Sequence, residues 1–240
     1  MEKVFEESWF YASISEVGES TLLSKAESHH LTKVLRVQPG RRVIASNGKG
    51  KVFVCNTEST KDSQIFITAI ESYLEDLKPP RVHLILSLLK GSTLEDPVEG
   101  LCQMNIKAIH LIITDHTIQF NGQNHEKLLE RLRTKSLVAM KQAKKPWLTK
   151  VEAPLLFKSW RDTYSDMKLI ILAPGSDHLP ERFEQDFGIV VGPEGGFSKS
   201  EMDWLDTRGV FKLGLGRTRL RGSLAPLIGC GKLMGLNLWS

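Results

Sequence analysis

The apolar run Gly188 to Val191 passes directly into Gly192-Pro-Glu-Gly-Gly-Phe-Ser-Lys-Ser-Glu201, and this junction constrains the fold more than any other stretch of the chain. The run reads as a buried strand. Gly192, Gly195 and Gly196 free the main chain to turn sharply and to approach a ligand with no Cβ in the way. Ser198 and Glu201 have the spacing of a capping box, so a helix is expected to start there. Strand, glycine turn and helix start in this order resemble phosphate-binding geometries, yet the spacings G-x-G-x-x-G and G-x-x-x-x-G-K-[ST] are both missing, which argues against a dinucleotide site or a P-loop. Taken singly, the segment also reads as an ordinary glycine-rich turn. About twenty residues later, Leu213-Gly-Leu-Gly-Arg-Thr-Arg-Leu-Arg221 supplies a second glycine-bearing strand end. Two such ends point to a pocket built largely of backbone and suited to a nucleotide-like cofactor.

With 240 residues, 41% of them hydrophobic, the chain is long enough for one large or two modest cores. No apolar run reaches the ~18 residues of a membrane helix, and the N-terminus is acidic and aromatic where an export signal is basic and then apolar. Cys55, Cys102 and Cys230 are odd in number and lack ligand spacing, so the expectation is a reduced, cytoplasmic setting without a metal. Charge is uneven: Met1 to Asp76 holds 9 Lys and Arg against 11 Asp and Glu, the remainder 23 against 17. Arg217, Arg219 and Arg221 alternate; in an extended segment their guanidinium groups share one face, suited to a polyanion. A solvated surface accounts for the same counts equally well.

Arg41 to Ser46, Lys51 to Thr57 and Gln64 to Ile70 read as strands separated by the turns Gln38-Pro-Gly40 and Ser46-Asn-Gly-Lys-Gly50. They form a small β-barrel-like domain over 1–74, followed by the linker Glu75-Asp-Leu-Lys-Pro-Pro80. From 75 to 240 the pattern becomes α/β, with strands at Val82 to Leu88, Ala108 to Thr114, Lys168 to Ala173, Phe187 to Gly192 and Val210 to Leu215. A helix is expected over His125 to Lys144, with Leu128, Leu132, Ala139 and Ala143 at helical spacing. Ligands of such sheets sit at the carboxyl ends of strands, where both glycine segments fall.

In order along the chain, His29-His-Leu-Thr-Lys-Val-Leu-Arg36, Gln38-Pro-Gly40, Asn47-Gly-Lys-Gly50, Ala139-Met-Lys-Gln-Ala-Lys-Lys145, Val191 to Ser198 and Leu215 to Arg221 resemble the signatures of the bacterial 16S ribosomal RNA uracil-N3 methyltransferase family, within the SPOUT class. The resemblance runs nearly end to end. It implies a PUA-like RNA-binding β domain, a C-terminal SPOUT α/β domain with a trefoil knot, S-adenosylmethionine as methyl donor, and a homodimer acting on 16S ribosomal RNA or the small ribosomal subunit. The knot comes from the resemblance, since threaded chains are rare. Carried onto this sequence, the cofactor set is Leu172, Gly192, Glu194, Gly195, Gly196, Leu215, Gly216, Arg219 and Leu220. The RNA set is His30, Lys33, Arg36, Lys145 and Arg217.

A sulfonium donor carries an activated methyl group, so alignment and exclusion of water do most of the work, without a metal. The uracil N3–H must lose its proton, which asks for a base or for cations that stabilise the developing anion. Arg219 and Arg221 are the candidates for the latter, with Arg221 the catalytic choice, and Glu194 is the carboxylate within the motif core. The bland readings are a phosphate contact for Arg221 and a turn-stabilising carboxylate for Glu194. Of His29 and His30, opposite orientations on a loop or strand leave one packed and one facing RNA. Lys33 and Arg36 share a face if the segment is helical. The apolar stretch Leu224 to Leu238 is the sequence support for a dimer.

The chain departs from the family where Gly222-Ser223-Leu224 stands in place of T-E-T, where Pro97 and Gly100 should shorten or kink a helix, and where Thr149 replaces a proline. A non-catalytic RNA-binding relative, or a SPOUT methyltransferase with another RNA acceptor, therefore stay open beside the uridine N3 reading.

Overall fold

The computed structural model describes residues 8–37, 40–59, 64–89, 94–117, 122–173, 177–218 and 220–236. The chain divides into two compact units, Met1–Leu77 with Met140–Leu148, and Lys78–Ala139 with Thr149–Ser240.

In the first unit, strands β1 (Trp9–Tyr11), β2 (Ser20–Leu22), β3 (Arg42–Ser46), β4 (Lys51–Ser59) and β5 (Ile65–Leu74) form one sheet in the order β1-β3-β4-β5-β2. The pairing is antiparallel except for β1 beside β3. Along β5, Ile65, Ile67 and Ala69 are buried while Phe66 is exposed, the period-2 pattern of a sheet with one face on its core. Phe10, Ile14, Leu31, Phe53 and Cys55 complete that core.

The segment Met140–Leu148 packs in this unit, although its place in the sequence put it with the second domain. The cause is local. Gly50 has φ 91, and a Cβ there would lie 2.4 Å from the Trp147 ring and 2.6 Å from the Glu75 carbonyl. Trp147 Nε1 donates to that carbonyl at 2.9 Å, and Gly50 N donates to Pro146 O at 3.0 Å. Lys141 pairs with Glu27. The Asn47 to Gly50 turn is therefore a seat for an indole as well as a strand break.

Helix α1 (Lys25–His29), capped by Ser24, runs on through a wider turn at His30–Val34 that Leu35 N closes on His30 O at 3.0 Å. His29 and His30 are both exposed, against the expectation that one is packed. Helical neighbours lie about 100° apart around the axis, so Leu31 is buried while both histidines stay outside. Arg36 lies beyond the helix with φ 54, so it shares no helix face with Lys33.

In the second unit a parallel sheet runs β12 (Phe211–Gly214), β10 (Lys168–Ala173), β11 (Phe187–Val191), β6 (Val82–Ser87), β7 (Ile106–Ile113), β8 (Lys150–Val151), with β9 (Leu155–Leu156) also on β7. Every residue of β6 and β11 is buried, as a sheet covered on both faces requires. The cover comes from α2 (Glu95–Gln103), α3 (Gly122–Gln142), α4 (Phe157–Thr163), α5 (Lys199–Thr207) and α6 (Ala225–Gly235). On α3, Leu128, Leu132 and Ala139 are buried, whereas Ala143 lies past the helix end and is exposed. Helix α2 is short, as expected. Pro97 sits in its first turn, where its missing N–H is tolerated, and Gly100 is where α6 comes close, a Cβ there falling 3.1 Å from Leu227. Thr149, standing for a proline, is buried with Oγ1 donating to Ile106 O at 2.8 Å, while its carbonyl accepts from Ser136 Oγ at 2.6 Å.

Candidate functional site

At the carboxyl ends of β10, β11 and β12 lies an open cavity of about 530 Å³. Its walls come from three segments, namely Ile171, Leu172 and Ala173 from β10, Val191 to Glu194 with Gly196 and Phe197 from the first glycine turn, and Leu215 to Thr218 with Leu220, Gly222 and Ala225 from the second. The lining is mostly apolar side chain and glycine backbone.

The first turn is held by a small polar network. Ser198 accepts from Glu201 N, and Glu201 Oε2 accepts from Ser198 N at 2.8 Å, the capping box that the spacing predicts. Glu201 is buried, and its Oε1 accepts from Asp115 N at 3.0 Å. Ser198 Oγ donates to Asp115 Oδ2 at 2.6 Å, and His116 Nδ1 lies 3.0 Å from Gly196 O. The loop after β7 is thus tied to the glycine turn. Gly192 is required by packing: a Cβ there would stand 2.8 Å from the Phe197 ring. Gly196 is required by conformation, with φ 75.

The second wall is anchored by Asp177. Its Oδ1 accepts from Gly214 N at 2.9 Å and from Lys232 Nζ at 2.8 Å, and Lys232 also donates to Gly214 O at 2.8 Å. The Lys232 ammonium holds the Asp177 carboxyl below its usual range. Beyond β12 the chain turns at Gly216, with φ 98, bends at Arg217 and Thr218, and Arg221 O accepts from Leu224 N and Ala225 N as α6 begins. The shared face expected of the three arginines includes a residue outside those described. Arg217 lines the cavity, Arg221 is exposed outside its lining, and Arg219 lies outside the described residues.

Of the residues expected around a cofactor, Leu172, Gly192, Glu194, Gly196, Leu215, Gly216 and Leu220 come together in this lining, and Gly195 does not. Gly195 faces the loop after β7, a Cβ there falling 3.4 Å from His116 Cβ. His30, Lys33, Arg36 and Lys145 belong to the first unit. The first three are exposed, and Lys145 is half-buried just after Lys144, whose φ is 52. Asp115 and His116 escaped the sequence reading. The signal for them is positional, a polar pair directly after an apolar parallel strand, at the sheet end where ligands bind.

Elsewhere in the second unit, His83 Nδ1 and His110 Nε2 lie 2.8 Å apart, buried on β6 and β7. Burial pushes both rings down to about 4; nearby Lys107 adds to this at His83, and His83 adds to it at His110. Asp186 accepts from Arg81 Nε at 2.8 Å beside this pair. Among the described residues no group of three His, Cys, Asp or Glu is placed to hold a metal ion, and no helix is long and apolar enough to cross a membrane.

A family model described as an RNA methyltransferase domain matches residues 76–234, and one described as an RNA methyltransferase PUA domain matches residues 23–70. The chain belongs to this RNA methyltransferase family, with a PUA-like N-terminal domain and a parallel α/β domain. It is similar to the ribosomal RNA small subunit methyltransferase E of Synechocystis, 25% identical over 89% of this chain and 72% of that one. The protein of the same name from Helicobacter pylori is 26% identical over 82% of this chain and 87% of its own length. Among solved structures, a ribosomal RNA small subunit methyltransferase E from Neisseria gonorrhoeae bound to S-adenosyl methionine superposes with TM-score 0.83 at 22% identity, covering 96% of this chain and 98% of that one. A probable rRNA methyltransferase from Porphyromonas gingivalis gives TM-score 0.82 at 25% identity over 95% and 98%.

Proposed function

We propose that this RNA methyltransferase transfers the methyl group of S-adenosylmethionine to N3 of a uridine in 16S RNA of the small ribosomal subunit, in the cytoplasm. The observation that carries the reading is the cavity between the two glycine-bearing strand ends. Its lining fits the donor: Leu172, Leu215 and Leu220 offer apolar surface to a purine, and the glycines at 192, 196 and 216 let the backbone approach it with no Cβ in the way. Glu194, exposed in the lining, offers a carboxylate to hydroxyl or ammonium groups. Gly195 serves by letting the turn close on the loop after β7. The donor supplies an activated methyl group; the residues around it hold, orient and keep water out.

Arg217 in the lining and Arg221 at the start of α6 bring positive charge to the mouth of the site, where Arg221 steadies the charge that develops on the uracil. The first unit binds RNA through phosphate contacts of His30, Lys33, Arg36 and Lys145, whose part is to position the RNA. Arg219 completes the cofactor set. The reading includes the trefoil knot and the homodimer. The dimer is supported by Leu224, Ile228, Met234 and Leu236, which are exposed on and beside α6. Light scattering is expected to give twice the 27.0 kDa of one chain.

The test is nucleoside mass spectrometry of ribosomal RNA from cells with and without the gene, beside calorimetry of the purified protein. N3-methyluridine that depends on the gene, with saturable S-adenosylmethionine binding, supports the reading. Binding without methylation favours a non-catalytic relative, for which Gly222 in the cavity lining in place of the T-E-T motif is the motive. Methylation of another base reassigns the acceptor.

A further inference from the structure

The loop leaving β7 presents an imidazole to the glycine turn in a defined chemical form. A carbonyl oxygen can only accept, so the 3.0 Å contact from His116 Nδ1 to Gly196 O puts the ring hydrogen on Nδ1. In neutral imidazole the lone pair then belongs to Nε2. The ring is exposed, and its partner Gly196 lines the cavity. Its neighbour Asp115 is tied down, since Asp115 N donates to Glu201 Oε1 and Asp115 Oδ2 accepts from Ser198 Oγ. The ring lies close along the turn, a Cβ on Gly195 falling 3.4 Å from His116 Cβ. An imidazole with a set tautomer, hydrogen-bonded to a residue of the cavity wall, is a specific arrangement.

Methylation at N3 of a uridine has to remove an imide proton. Three carboxylates belong to the segments that meet here: Asp115 on the same loop, Glu194 on the turn and Glu201 on α5. Glu201 is buried with both oxygens engaged, and Asp115 already accepts from Ser198.

We propose that His116, through Nε2, is the group that takes the N3 proton of the acceptor uridine, an inference that rests on the methyl-transfer reading above. The N3–H bond breaks and its proton goes to Nε2. The pair left on N3 bonds to the methyl carbon, while the donor's carbon–sulfur bond breaks with its electrons kept by sulfur. The imidazolium then returns its proton to water.

His116→Asn separates this role from a structural one, because the Asn amide N–H₂ can take the place of Nδ1–H against Gly196 O while nothing takes the place of Nε2. The expected result is S-adenosylmethionine affinity within about twofold of the parent by calorimetry and kcat lower by about a hundredfold or more. The acid limb of the kcat–pH profile should flatten, and added imidazole should restore part of the rate in His116→Gly. Independently of activity, nitrogen NMR of the parent protein should show His116 as the Nδ1–H tautomer. A His116→Asn enzyme with parental kcat, a loss confined to cofactor affinity, or an Nε2–H tautomer overturns the proposal. If the parent binds S-adenosylmethionine but forms no N3-methyluridine, the methyl-transfer reading fails and takes this inference with it; an active parent with an equally active variant sinks the inference alone.

Discussion

Along β5 of the first unit, buried and exposed residues alternate at Ile65, Phe66 and Ile67, whereas in the second unit β6 and β11 are buried at every position. A sheet wet on one face can carry functional side chains anywhere along its strands and helices. A sheet covered on both faces has only its strand ends to offer. Accordingly the first unit presents Lys33 and Arg36 from an exposed helix end, while the second concentrates glycine turns, the cavity and His116 at the carboxyl edge of its sheet.

That contrast breaks most directly at Glu201. Its carboxylate caps α5 and accepts from Asp115 N and Ser198 N, so Glu201→Ala orphans donors on both segments and should cost the second unit about 4 kcal/mol, measured by urea unfolding. A loss below about 1 kcal/mol would mean the network is held by other groups.

Acid should act on the second unit through His83 and His110. Unfolded imidazoles take up protons below about pH 6.5, but these rings do so only near 4 when folded. Between those values the unfolded chain binds more protons, so stability falls as pH is lowered through the window, by roughly 3 kcal/mol counting one ring. Unfolding midpoints at pH 7 and pH 4.5 check this, and His110→Phe should flatten the dependence. The first unit has no buried histidine, because His29 and His30 are exposed, so its stability should not carry this term.

Gly196→Val places a β-branched residue at φ 75 in the cavity lining, a strain of roughly 2 kcal/mol. Calorimetry should show S-adenosylmethionine affinity at least tenfold weaker, with RNA affinity unchanged. Equal affinity would move the cofactor away from this turn.

The smallest effect is expected in the first unit, and it carries two signs. Arg36 has φ 54, a conformation glycine adopts freely, so Arg36→Gly should stabilise the unit by up to ~1 kcal/mol. The same change removes a proposed phosphate contact and should weaken RNA binding by ~1 kcal/mol, with a shallower salt dependence and cofactor affinity intact. RNA binding that is unchanged would take Arg36 out of the interface.

Legibility followed the range of the interactions. The strands at Lys51, Val82 and Lys168, the helix from 122 to 142 and the Ser198 capping box depend on neighbours a few residues away, and periodicity reveals them. What stayed hidden depends on distant partners. Nothing near Trp147 in sequence announces that its indole will fill the space left at Gly50, and this contact gives the 140–148 segment to the first unit. Strands β8 and β9 have two residues each, too few for any period. In the candidate site, the glycine turns were readable because backbone freedom is written into residue type. Asp115 and His116 were not, since their meaning arises only when β7 and β11 are set side by side with β6 between them. The alternation of the arginines says nothing of the left-handed glycine at 216 that turns the chain just before the first of them.

The clamp of Asp177 and Lys232 on Gly214 has a consequence best put in polymer terms. Lys232 Nζ reaches Gly214 O across 18 residues, so the segment that includes the second cavity wall is a closed ring and not a free strand of loop. Closing a flexible ring of that length costs about 2.5 kcal/mol of chain entropy beyond a constant, and folding has already met it. A ligand entering the cavity therefore meets a wall with tied ends and has less disorder to remove, so more of its contact energy is left to appear as affinity.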